Sequence, residues 1–149
     1  PGLNFRFTDI LASFGLVQLD VIPERIKKLN QLYSKYEKAI REMPFLKLIP
    51  VDISANQIPI YIDVLCEQRE ELIAFLAQEN IQARPFHPDL DTAPYLSSGH
   101  FTNSRVFAEQ GLVLPCGPDQ SADNIDQVIQ SLRLFGDRKS VGAFKRASA

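Results

Sequence analysis

Ile58, Ile60, Ile62 and Val64 alternate with Pro59, Tyr61 and Asp63, the period-two pattern of a strand with one face buried. A strand of that kind needs neighbours on its edges and a layer of helix over its apolar face. Pro59 puts the start of the strand at an edge or a bulge, because proline cannot donate to a ladder. Three further short segments can join it: residues 47–51, residues 81–86, and Leu112-Val113-Leu114, which Pro115 stops. Around them the period changes to that of a helix. Residues 68–79 carry Leu72, Ile73, Phe75 and Leu76 on one side. Thr102 or Asn103 caps a short helix that ends near Gly111. Ser121 caps a last one, with Ile125, Val128, Ile129, Leu132 and Leu134 as its apolar set.

Two helices are expected ahead of this unit. Thr8 or Asp9 can accept hydrogen bonds from the first turn of a helix over residues 8–19. That helix is apolar on nearly every face, with Ala12, Ser13 and Gly15 small enough for close packing. Pro23 then opens a second helix, where its missing N–H is harmless, and Glu24 complements the positive end of the dipole. Ile26, Leu29, Leu32 or Tyr33, Tyr36 and Ile40 form its stripe, and Pro44 ends it. The expected fold class is therefore α+β: a small, mostly antiparallel sheet covered by helices and preceded by two connector helices. Residues 1–44 are the connectors and 45–136 the small α/β domain. Residues 137–149 read as a polar, basic, flexible tail.

A length of 149 residues suits a core of this size. Lys and Arg number 16 against 18 Asp and Glu, a net charge of −2, which removes the electrostatic case for nucleic acid or an anionic membrane as partner. No apolar run approaches the ~18 residues of a spanning helix. Pro1 stands where a start Met would, so the chain is expected to begin partway through something longer. Cys66 and Cys116 stand singly, without the spacing of a zinc site. They are expected as small buried hydrophobes, and the default compartment is the cytoplasm.

Candidate chemistry is sparse. His87-Pro88-Asp89-Leu90-Asp91, with His100 downstream, is the densest ionisable cluster. It can be read as a metal or acid–base group, or as a polar loop whose aspartates make turns beside Pro88 and Pro94. No phosphate-binding glycine loop, GxSxG or HExxH is present. Asn4 and Arg6 lie two residues apart just before the first helix. In an extended segment they share a face, where an amide and a guanidinium can hold phosphate or carboxylate oxygens. The alternative is an Asn in a turn beside Gly2 and an Arg capping a neighbouring element.

Gly2-Leu3-Asn4-Phe5-Arg6-Phe7-Thr8-Asp9, followed by Ile10, Ala12, Gly15, Leu16, Gln18 and Leu19, resembles the DegT/DnrJ/EryC1/StrS sugar aminotransferases. The resemblance runs on through the helix with Tyr33 and Tyr36, Ile60-Tyr61-Ile62-Asp63-Val64 and Arg69-Glu70-Glu71-Leu72. It continues in Ile81-Gln82-Ala83-Arg84-Pro85-Phe86, as in perosamine-synthase-like members, and in Gly111-Leu112-Val113-Leu114-Pro115.

The family implies the aspartate-aminotransferase (type I) fold, a pyridoxal phosphate cofactor, a homodimer and a nucleotide-linked keto sugar as substrate. It implies that Asn4 and Arg6 reach the cofactor phosphate of a neighbouring subunit. Arg84, His87 and Asp91 fall at substrate-side positions, although the family usually carries an aromatic at His87 and a His at Asp91. The family's Schiff-base lysine, with the carboxylate and aromatic that hold the ring, lies upstream of Gly-x-Asn-x-Arg. Lys27, Lys28, Lys35, Lys38 and Lys47 do not match it. The resemblance thus implies the C-terminal part of a sugar aminotransferase, with no catalytic residue and no cofactor of its own. The rival is a stand-alone, self-associating interaction or ligand-binding module, its exposed stripes including Ile10, Leu16, Leu29 and Tyr36.

Overall fold

The structure is a computed structural model that describes residues 7–90, 93, 95–96, 99 and 101–147, with side chains through residue 138. It starts with one long helix, α1 (Asp9–Ile40). Thr8 caps it, accepting a hydrogen bond from the Leu11 N–H at 3.3 Å. The two connector helices expected from Pro23 are one: Pro23 lies inside α1. The carbonyl that loses its donor there belongs to Leu19, which is exposed, so water can serve it.

After α1 come β1 (Lys47–Leu48), a 3-10 turn at Ile53–Ala55, β2 (Ile62–Leu65) and α2 (Arg69–Gln78). They are followed by β3 (Arg84–Pro85), α3 (Thr102–Gln110), β4 (Gly111–Leu114) and α4 (Ala122–Ala147). The four strands form one antiparallel sheet in the order β1-β2-β4-β3. Pairing starts only at Ile62, later than the alternation from Ile58 suggested. Upstream the chain turns, with the Ile60 N–H on the Ile58 carbonyl at 2.9 Å and Pro59 buried. Of residues 81–86, only Arg84 and Pro85 pair.

Ile62 faces Leu114 across the β2–β4 ladder and Val64 faces Leu112. All four are buried and point to the helical side of the sheet. Against them pack Tyr33, Tyr36 and Ile40 of α1, Leu72, Phe75 and Leu76 of α2, and Ile125, Val128 and Leu132 of α4. Leu29 and Tyr36, expected on an exposed stripe, are buried, because the second half of α1 lies on the domain; Ile10 and Leu16 are exposed. On α4 the inward position belongs to Phe135 and not to Leu134, which is exposed. Phe135 meets the rings of Phe45 and Phe75, each with centroids 5.5 Å away.

Helix α4 does not stop at Gly136 as expected but continues to Ala147. Gly136 is there for packing: a Cβ at that position would come within 2.7 Å of the Phe45 ring. Two residues on, the Arg138 guanidinium lies 4.8 Å from the centroid of Phe75.

Candidate functional site

The face of the sheet away from the helices carries one continuous row. Asp63 of β2 is registered with Val113 of β4, and Val113 with Arg84 of β3. Directly opposed residues share a face, so a carboxylate and a guanidinium flank Val113 on the uncovered side. Asp63 is half-buried, and loss of water raises its carboxyl above the usual range. Arg84 is exposed at the edge of the sheet.

Arg84 also borders a groove of about 430 Å³ between β3, the end of β4 and the start of α4. Amides dominate its polar lining: Asn80, Gln82, Gln120, Asn124 and Gln127. No carboxylate belongs to the lining among the described residues. The wall after β4 is fixed from beneath by Tyr36, whose hydroxyl donates to the Pro115 carbonyl at 2.9 Å. Burial drives the Tyr36 phenol far above its ordinary range, with a smaller contribution from Cys116, so it stays a donor at any working pH. Cys116 lines the groove, half-buried. Burial pushes its thiol up and nearby Asp63 adds to this, while a backbone hydrogen bond with Ile62 and the charge of Arg84 pull the other way.

The segment after β3 is anchored to α3. Asp89 is buried, accepts a hydrogen bond from the Ser104 hydroxyl and pairs with Arg105 Nε at 3.2 Å. Phe86 stacks on Phe107, the ring planes 2° apart with centroids at 6.1 Å. Gly111 permits that approach, since a Cβ there would lie 2.4 Å from the Phe107 carbonyl and 2.5 Å from the Phe86 ring. Arg69 donates to the Ala108 carbonyl and to that of Gly111 at 3.5 Å, closing the end of α3 over β4.

His87 projects from this segment exposed. Asp89 is thus committed to holding the loop, and the reading of His87, Asp89 and Asp91 as a metal group loses its central member. Among the described residues no group of three His, Cys, Asp or Glu is placed to hold a metal. Asn4, Arg6 and Asp91 lie outside the described residues. Of the expected site residues, the structure therefore places Arg84 on the groove and His87 beyond it on the anchored loop. The amides of the groove and the Tyr36 support were not found from sequence. They come from separate segments, and no local pattern links them.

A family model for DegT/DnrJ/EryC1/StrS aminotransferases matches residues 1–133. The chain belongs to that family. It is 30% identical over 144 residues to the Escherichia coli dTDP-4-amino-4,6-dideoxy-D-glucose transaminase, covering 89% of this chain and 39% of that protein. To GDP-perosamine synthase of Escherichia coli O157:H7 it is 27% identical over 139 residues, covering 90% and 38%. A DegT DnrJ EryC1 StrS aminotransferase from Brucella abortus superposes with a TM-score of 0.80 at 23% identity, covering 91% and 37%. That likeness shows the fold: the expected α+β class and the small antiparallel sheet are those of this family. The chain spans less than two fifths of the length of these relatives. Family structures in pyridoxal phosphate and pyridoxamine phosphate forms are among those it matches.

The described residues do not fit that cofactor. A lysine forming an imine must stand desolvated beside the ring it binds. Lys27, Lys38 and Lys47 are exposed. The amine of Lys28 pairs with Glu24 at 3.3 Å, and that of Lys35 with Asp126 at 2.7 Å and the Ala122 carbonyl at 3.3 Å. None of the five lines the groove beside Arg84.

Proposed function

We propose that this chain is the C-terminal, small-domain part of a pyridoxal-phosphate-dependent aminotransferase that acts on nucleotide-linked keto sugars, and that it is not catalytic alone. The observation that carries the proposal is the family match over residues 1–133 in a chain whose Lys27, Lys28, Lys35, Lys38 and Lys47 are each exposed or ion-paired. In the assembled enzyme the cofactor supplies the electron sink for amino transfer, from glutamate to a 4-keto sugar in the parent reaction. This chain's own contribution is to bind and orient. Asn4 and Arg6 would hold the cofactor phosphate of a neighbouring subunit in a homodimer. Arg84, with His87 and Asp91 on the loop that follows, would face the substrate. The groove supports this for Arg84: one guanidinium among side-chain amides, which both donate and accept, suits an anionic, hydroxyl-rich molecule. No described helix is long and apolar enough to cross a membrane, and the proposed compartment is the cytoplasm.

The coding DNA immediately upstream of Pro1 tests the proposal. An in-frame cofactor-binding domain with its lysine is the expected finding. A stop codon followed by a start codon just ahead of Pro1 would favour the second reading, a stand-alone self-associating module. The exposed apolar side chains on the first half of α1 favour that reading.

A further inference from the structure

Among the side chains that line the groove beside Arg84, the Arg84 guanidinium alone is charged, and five others end in amides. Val113 of β4 and Val128 of α4 give it apolar surface. Its volume of about 430 Å³ falls within the range of small-molecule sites. Two of the amides are already ordered by each other, since Asn124 Nδ2 donates to Gln120 Oε1 at 3.3 Å. That bond leaves the Gln120 amino group as a donor and the Asn124 carbonyl oxygen as an acceptor. A hydroxyl both donates and accepts, so a hydroxyl-rich molecule matches this lining. The guanidinium adds one fixed positive charge to an otherwise neutral wall.

That single charge limits what the groove can hold. A diphosphate is held where several cations converge or where the N–H groups of a helix start are open to it. The lining supplies no second cation among the described residues. The start of α4 is already capped by Ser121, which accepts from the Asn124 N–H at 3.1 Å, and it bears Asp123 in its first turn. Asp63 stands across Val113 from Arg84, close enough that both act on the Cys116 thiol. A second negative charge on a ligand would therefore meet Asp63 without a cation to offset it. A neutral sugar would leave the guanidinium without a counter-charge. A carboxylate brings one charge and accepts two parallel hydrogen bonds from a guanidinium. We infer that the groove takes a sugar acid, its carboxylate on Arg84, its hydroxyls on the amides and its C–H face against Val113 and Val128. The inference deepens the proposed function by giving the keto sugar a carboxylate, and it rests on the reading that Arg84 faces the substrate.

Titration of the full chain with glucuronate, glucose, glucose 6-phosphate and UDP tests this. Ligand-observed NMR reads affinity. The rate of Cys116 alkylation by iodoacetamide reads location, because Cys116 lines the groove and Cys66 is buried. Glucuronate is expected to bind with a Kd on the order of 1 mM, as suits a ligand of so few atoms, and to slow alkylation of Cys116. Glucose should do neither at the same concentrations, and both phosphates should bind more weakly than glucuronate. Arg84→Gln should weaken glucuronate about tenfold, and Asp63→Asn should narrow the gap between glucuronate and glucose 6-phosphate. Tighter binding of UDP or the sugar phosphate, lost in Arg84→Gln, would overturn the sugar acid and leave Arg84 facing the substrate. Glucuronate binding that matches glucose, survives Arg84→Gln or leaves Cys116 unprotected would also overturn it. Binding of none of the four would overturn the inference and count against Arg84 as a substrate contact, while the family reading would still stand on the DNA upstream of Pro1.

Discussion

The Tyr36 hydroxyl donates to the Pro115 carbonyl at 2.9 Å, joining the middle of α1 to the turn between β4 and α4. That turn forms one wall of the groove beside Arg84, so a tyrosine in the core positions that wall. Tyr36→Phe removes the donor and leaves a carbonyl short of a partner in a partly buried place. The expected loss is about 1–2 kcal/mol of stability, read as a lower urea midpoint with unchanged slope.

Gly111 is needed where α3 meets β4. Gly111→Ala would drive a Cβ into the Phe107 carbonyl and the Phe86 ring, and a backbone carbonyl cannot move aside as a flexible side chain can. Destabilisation of about 2–3 kcal/mol is expected by urea unfolding. An alanine tolerated at no cost would mean that the Phe86 segment does not sit against this junction.

The Cys116 thiol is pushed up by burial and by Asp63 and held down by Arg84. Its alkylation should therefore require a higher pH than that of a free thiol. Arg84→Gln removes the cation and should move the rate–pH profile further up. Cys66 is buried and should contribute no fast phase. Iodoacetamide rates from pH 7 to 10, followed by intact mass, measure both profiles. A profile that moves down on loss of Arg84 would contradict the placement of that side chain.

Asp63 titrates above the ordinary carboxylate range because it is partly desolvated. The fold thus favours its neutral form, and ionisation costs stability once the pH exceeds the unfolded value. Asp63→Asn should raise the urea midpoint slightly at pH 7, by a few tenths of a molar at most given how exposed the group remains. The difference should shrink as the pH falls through the raised pKa, where Asp63 takes up its proton.

Periodicity and capping located most of the elements. Ser121 does accept from the Asn124 N–H at the start of α4, and Gly111-Leu112-Val113-Leu114 is a strand. The two misplaced helix ends share a cause. Pro23 and Gly136 are strong local signals, but in both places the surroundings decide: an exposed carbonyl tolerates the proline, and Phe45 fills the space the glycine leaves. Arg84, singled out because it lies within a recognisable motif, lines the groove, and its role there is a proposal. Asp89 was read as chemistry when it is an anchor, since its partners Ser104 and Arg105 are brought to it by the fold alone.

Borohydride reduction of the full chain with pyridoxal phosphate, followed by peptide mapping and an assay with glutamate and a nucleotide-linked 4-keto sugar, tests the central claim most directly. The account predicts scattered, substoichiometric adducts on surface lysines and no turnover. A single stoichiometric lysine adduct accompanied by turnover would contradict it.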